Sequence, residues 1–197
     1  MKQTLVGTLL GIAVPGVALG QLNTYNIVVS NKVSPEQPQA LIQVWASFDP
    51  DQYAFHEVGF DFFASSDPGT FSDPLHELWA PGHHDDGVVS PDGDSVTGIN
   101  TRQHDFADVL YADTSNPILL WQVTWSTADF APRKVTLDTV TAEYLLYTDT
   151  IGNFSDFADT IVEGHGAITV VPSPATVLPL LAIVAAGHRR RPPDRVP

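Results

Sequence analysis

Between residues 21 and 170, apolar side chains recur at every second position, in short runs cut off by turn-forming residues. A period of two sends alternate side chains to opposite faces of an extended chain, so each run makes a strand with one buried face. Tyr25, Ile27 and Val29 mark the first run. Ile42, Val44, Ala46 and Phe48 share a face of the second, and Val58, Phe60 and Phe62 a face of the third. Leu119, Trp121, Val123 and Trp125 line one face of a later strand, and Val135, Leu137 and Thr139 one face of the next. Tyr144 to Tyr147 and Ala167 to Val171 are further candidates, with weaker ones at Val96 to Ile99 and Val109 to Ala112. The separators are Asp49-Pro50-Asp51, Asp67-Pro68-Gly69, Pro81-Gly82, Pro91-Asp92-Gly93-Asp94, Asn116-Pro117 and Ile151-Gly152-Asn153, whose residues favour turns. Eight or nine short strands of this kind predict an all-β fold, an antiparallel β-sandwich. The stretch from Ser65 to Asp108 is polar and rich in Pro, Gly, Asp and His, and reads as a long insertion or loop pair with weak strands. Long loops on a rigid sandwich are where function usually sits.

The chain has no cysteine, which excludes disulfides, thiolate zinc sites and cysteine nucleophiles. Of the 23 acidic residues only Asp194 lies beyond residue 170, and of the nine basic ones only Lys32, Arg102, Arg133 and Lys134 lie between 21 and 170. The central segment is therefore close to −18, more acidic than the whole chain at −14. That balance excludes a nucleic-acid partner, which needs a basic face. It suits a secreted domain kept soluble by self-repulsion, with acidic clusters able to take Ca²⁺ outside the cell.

Both ends read as addresses. Lys2 gives a positive n-region, Leu5 to Val17 an apolar h-region broken by Pro15, and Ala18-Leu19-Gly20 the small residues before a cleavage site at Gln21. Residues 1–20 are thus expected to be a signal peptide handled by the Sec translocon and signal peptidase. At the other end, Val171-Pro172-Ser173-Pro174-Ala175-Thr176 leads into an apolar run, Val177 to Ala186, followed by Arg189, Arg190 and Arg191. A membrane-spanning helix needs about 20 apolar residues. The run is half that length, so a short hydrophobic helix from near Leu178 to Gly187 suits transient membrane anchoring, with the arginines held on the cytoplasmic side. This tail, residues 171–197, resembles a PEP-CTERM sorting signal, the tripartite signal of exported proteins processed by exosortase. Ser173 stands where that family usually has Glu, Pro179 interrupts the run, and Pro192 to Pro197 extend past the arginines. The non-Glu residue is similar to planctomycete-like variants. The resemblance implies an exosortase-like processing enzyme as partner, and delivery to the cell surface or extracellular matrix.

Within the domain of residues 21–170, Trp45-Ala46-Ser47-Phe48-Asp49 with Phe60-Asp61-Phe62, and Trp125-Ser126-Thr127-Ala128-Asp129-Phe130, are similar to strands of cohesin-like, jelly-roll-like or carbohydrate-module sandwiches. These strand patterns belong to several families, and none is assigned to the core. Candidate chemistry is sparse. His83-His84-Asp85-Asp86 offers metal-ligand types, but neighbours on an extended chain point to opposite faces and no HExxH spacing occurs. Asp92-Gly93-Asp94 sets two carboxylates two residues apart, without the rest of an EF-hand loop. Asp85, Asp86, Asp92 and Asp94 are therefore the candidate Ca²⁺ ligands. Trp79 is a candidate platform for an extracellular polysaccharide, since an indole face offers apolar area at little entropic cost. Trp121 and Trp125 are expected in the core, and Trp45 falls on the face opposite Ile42. No nucleophile elbow or phosphate loop is present. The expected function is a non-enzymatic, structural or adhesive surface protein. The alternatives are a Ca²⁺-dependent carbohydrate-binding module, or a metal-dependent hydrolase using His83 or His84 with Asp85 or Asp86. In protein recovered from its host, mass analysis should find Gln21 at the N-terminus and no Arg189 to Arg191; a mature chain that keeps the arginines refutes processing of the tail.

Overall fold

The computed structural model describes residues 23–65, 68–77, 85–103, 113–147, 153 and 161–173. The predicted signal peptide, the strand at Val109 to Ala112 and the C-terminal hydrophobic helix lie outside them. The described residues form ten strands: β1 (Asn23–Val29), β2 (Gln39–Ser47), β3 (Ala54–Ala64), β4 (Thr70–His76), β5 (Val88–Val89), β6 (Ser95–Arg102), β7 (Ile118–Ser126), β8 (Arg133–Tyr147), β9 (Ile161–Val162) and β10 (His165–Val170). They pack as two five-stranded sheets, β4-β7-β2-β1-β9 and β10-β8-β3-β6-β5. This is the all-β sandwich that the alternation predicts, antiparallel throughout except where β9 runs parallel to β1.

Alternation decides which side chains meet between the sheets. In β2, Ala40, Ile42, Val44 and Ala46 are buried, while Leu41, Gln43, Trp45 and Ser47 point away. Val58, Phe60 and Phe62 of β3 and Val135, Leu137 and Thr139 of β8 face them from the opposite sheet. Thr139 holds an apolar position because its hydroxyl is used: it donates to Glu163 Oε2 at 2.7 Å and accepts from the Gly164 N–H at 2.8 Å. Trp121 packs on both Phe60 (ring centroids 5.8 Å apart, 86° between planes) and Phe62 (5.2 Å, 52°). Its indole N–H donates to the Asp86 carbonyl at 3.0 Å.

Three expectations change. Leu119 does not share the face of Trp121: the β2–β7 register slips at Val44/Trp45, so that Leu120 and Ile118 turn inward and Leu119 turns outward. The candidate at Tyr144 to Tyr147 is not separate, because β8 runs unbroken from Arg133 to Tyr147, with register shifts against β3 at Phe55/Glu57 and Gly59/Phe60. Of the two readings of Ser65 to Asp108, the structure excludes a mere insertion and bears out strands, which are full members of the sheets. The stretch supplies β4, an edge of one sheet, and β5 and β6 of the other. β4 escapes a period-two reading because Pro74 and Asp73, with φ of 53°, sit at a bulge opposite β7.

That stretch also closes one side of the sandwich. The Phe71 N–H of β4 donates to the Gly93 carbonyl at 2.9 Å, and the His76 N–H to Asp86 Oδ1 at 2.9 Å. Each bond joins the edge of one sheet to the loops of the other. Gly69, just before β4, is required by space: a Cβ there would lie 1.9 Å from Trp125 Cζ2. Gly98, by contrast, has φ of 72° and open space around it. Gly69→Ala is expected to lower stability by about 1–3 kcal/mol through overpacking of a buried indole. Gly98→Asn, suited to the left-handed region, should stay within about 0.5 kcal/mol. Urea midpoints of the two variants measure the contrast, and equal losses would contradict it.

Candidate functional site

The acidic residues expected to bind a cation lie along the closed seam between β4 and the β5–β6 hairpin. Asp86 receives the His76 backbone N–H and pairs with the His76 ring. Asp85 bridges to Asn100 through both backbone groups, at 3.0 Å each, and its carboxylate accepts from the Gly87 N–H at 2.9 Å. Asp94 Oδ1 accepts from Ser90 Oγ at 3.0 Å and Ser95 Oγ at 3.3 Å, and Asp92 is exposed on the hairpin turn. Among the described residues no three His, Asp or Glu side chains form a group that could hold a metal ion. Trp79, His83 and His84 lie outside the described residues, as do Pro174, Ala175, Thr176 and Arg189 to Arg191. Of the sorting motif, Val171, Pro172 and Ser173 are described. The Val171 N–H donates to the Val33 carbonyl at 2.8 Å, and Ser173 Oγ bonds Glu36. The first residues of the predicted tail are therefore attached to the sandwich.

The outer face of the β10-β8-β3-β6-β5 sheet carries a dense set of polar groups that period-two reading does not single out. β3 presents Glu57, Gly59 and Asp61 outward in a row. Opposite them on β6 stand Arg102, Asn100 and Gly98. Arg102 is ion-paired to Glu57, Asn100 Nδ2 donates to Glu57 Oε1 at 3.0 Å, and the Gly98 N–H donates to Asp61 Oδ1 at 2.8 Å. On the β8 side, Asp138 meets His165 of β10 at 2.6 Å. Two apolar side chains stand exposed on this face, Val140 at 52% and Val88 at 68%. Glu57 and Gly59 are themselves buried, so the accessible part of the face is made by Asp61, Asp138, Val140 and Val88. Burial pushes the Glu57 carboxyl up. The hydrogen bonds from Arg102 and Asn100, with the charges of Arg102 and His56, outweigh it and hold the group below its ordinary value. Sequence reasoning missed this pair because Glu57 and Arg102 are remote in the chain and only the β3–β6 register brings them together.

No family model matches the chain, and no curated protein matches it in sequence. Solved structures do share its fold. The seventh ScaB type I cohesin from Pseudobacteroides cellulosolvens matches with a TM-score of 0.54 at 12% identity, over 76% of this chain and 93% of that one. CaCohA2 from Clostridium acetobutylicum, in solution, matches with a TM-score of 0.50 at 16% identity, over 76% and 92%. The crystal structure of a CaDoc0917–CaCohA2 complex contains a chain that matches with a TM-score of 0.50 at 14% identity, over 77% and 99%. At these identities the likeness defines the fold, a cohesin-like β-sandwich.

The Glu57–Arg102 pair allows a stability test. Glu57 is 5% exposed, so Arg102→Met strands a buried carboxylate and should cost about 3–5 kcal/mol at neutral pH. In the unaltered chain the depressed Glu57 pKa contributes stability above the unfolded-state value, lost as pH falls through the folded-state value. Arg102→Met should lose that acid-side decline, because the stranded carboxyl then takes up a proton readily. Glu57→Gln combined with Arg102→Met should recover most of the loss. Denaturant titrations between neutral and acidic pH measure this, and an Arg102→Met variant as stable as the parent would contradict a buried pair.

Proposed function

We propose that this chain is an exported, non-enzymatic assembly module that holds a protein partner at the cell surface or in the extracellular matrix. The observation that carries the reading is the cohesin-like sandwich together with the charged and apolar outer face of its β10-β8-β3-β6-β5 sheet. One of the structures it resembles is that of CaCohA2 in complex with CaDoc0917. The partner would be a protein segment with an apolar patch for Val140 and Val88, and with basic groups for the outward carboxylates Asp61, Glu143 and Asp138. Export through the Sec route and sorting by an exosortase-like enzyme would bring the module to where that partner waits. The signal-peptide pattern at residues 1–20 and the tail pattern at 171–197 support this part of the reading. An acidic, disulfide-free sandwich needs no redox environment to remain folded once outside the cell.

Lys134 lies at the end of β8 beside this face and is exposed. Amine-reactive cross-linking of the protein in its host envelope, read by mass spectrometry, should attach Lys134 to a second protein. Val140→Asp, which puts a charge into the apolar contact, should remove that cross-link while leaving the thermal midpoint within a few degrees. Cross-links at Lys134 that survive Val140→Asp, or none to another protein, would overturn the reading.

A further inference from the structure

The opposite outer face has the reverse chemistry. β1, β2 and β7 span 7, 9 and 9 residues and contain no Asp, Glu, Lys, Arg or His, in a chain that carries 23 acidic residues. Their outward side chains are amides, hydroxyls and apolar groups: Asn26 and Val28 from β1, Leu41, Gln43, Trp45 and Ser47 from β2, and Leu119, Gln122 and Thr124 from β7. The core does not require this, because an outward strand position accepts a charge at little cost. Half-buried Trp45, on the central strand β2, borders two depressions. One, about 540 Å³, is lined by Asn26, Ile27, Val28, Trp45, Ser47 and Pro117. The other, about 360 Å³, lies across the indole and brings Glu77, Asp113 and Ser115 to its rim. Both volumes fall within the roughly 300–1,000 Å³ of small-ligand sites.

Long hydrogen bonds connect the indole to the neighbouring amides. The Trp45 indole N–H donates to Gln43 Oε1 at 3.4 Å, and Gln43 Nε2 donates to Gln122 Oε1 at 3.4 Å. The relay ends on the Gln122 amide, which keeps its own N–H donors. Beyond the indole, the Asn116 side chain accepts from the Phe48 N–H at 3.2 Å and donates to the Phe48 carbonyl at 2.7 Å, which fixes Pro117 beside Trp45.

We infer that this face is a binding site for a neutral polysaccharide, laid across Trp45 with sugar units in both depressions. A pyranose ring offers an apolar face of C–H groups rimmed by hydroxyls. It matches an indole flanked by amides (Asn26, Gln43, Gln122) and by carboxylates (Glu77, Asp113) that accept from hydroxyl pairs. The charge pattern selects among glycans. Among the described residues, β1, β2 and β7 offer no cation to an anionic polymer, and the acidic chain repels one, so an uncharged polymer is the occupant that loses nothing on approach. The site is separate from the protein-binding face, on the other sheet, so the module would join a protein to a glycan.

The test uses the full exported chain and a panel of soluble polysaccharides: neutral glucans, mannans and xylans, with anionic alginate as the contrast. Affinity electrophoresis and titration calorimetry measure binding, and circular dichroism with thermal unfolding checks the fold of each variant. At least one neutral polymer should bind and alginate should not. Trp45→Ala should weaken binding about tenfold, Trp45→Phe should keep most of it, and Val140→Asp on the opposite face should leave it unchanged. Binding to no neutral polymer, binding only to alginate, or equal binding by Trp45→Ala would each overturn the inference. A dimer that Trp45→Ala dissolves, without glycan binding, would assign the face to a second copy of the chain and overturn it as well. Val140→Asp acts on the protein partner alone, so either function can fail without the other.

Discussion

Trp121 joins the two sheets. It rises from β7 in one sheet, packs edge-on against Phe60 and tilted against Phe62 of β3 in the other, and gives its indole N–H to the Asp86 carbonyl. Phe62 passes the contact on to Phe71 of β4, and Phe60 to Tyr25 of β1. This chain of aromatic rings crosses the interior from the edge strand β4 to β1. Without cysteine there is no covalent tie between the sheets, so apolar burial must meet the entropic cost of ordering them. The seam of β4 against the β5–β6 loops follows from the same residue: the carbonyl that satisfies Trp121 belongs to Asp86, whose carboxylate secures His76.

Two layers with one shared interior leave two outer faces free to diverge. The β3 face gathers nearly all its polarity into fixed pairs, Glu57 with Arg102, Asp138 with His165, and Asp61 with the Gly98 backbone. The β2 face sets amides, hydroxyls and apolar groups around one indole, with Glu77 and Asp113 at the rim. A protein contact wants orientation from charges around apolar area, and a sugar wants a flat ring with neutral donors. The proposed protein and sugar partners would therefore fall on different faces. The two would be engaged independently, on opposite sides of the same rigid core.

The sandwich was legible because most strands are half-buried and show it in their alternation. β2, β3 and the first half of β8 place their predicted apolar sets inward, and Trp121 and Trp125 lie in the core. Register was not legible. Bulges at Val44/Trp45 and along β3 insert single residues, and each moves the following side chains to the other face, as Leu119 and Leu120 show. β4 was hidden because Pro74 and a positive φ at Asp73 erase its period. The letters of the acidic residues in that region suit a cation and a hydrogen-bond acceptor equally well. Their hydrogen bonds to His76, Gly87, Ser90 and Ser95 become visible only once the hairpin is folded. The uncharged stretch of β1, β2 and β7 could have been noticed in the sequence, but only the sheet order makes it one continuous face.

The chain leaves the sandwich beside the hairpin of residues 33–37. The Val33 N–H donates to the Thr169 carbonyl at 2.9 Å, the Val171 N–H returns to the Val33 carbonyl at 2.8 Å, and Ser173 reaches Glu36. Val33 runs parallel to Val170 there, while β10 pairs along its whole length with β8. A pull on the C-terminus would enter through these bonds. It would slide β10 along β8 as well as along Val33, so the bonds on both flanks would share the load and would not open one after another. A load applied at Val171 would thus meet the β10–β8 and Val33–Val170 pairings in shear, along the strands and not across them.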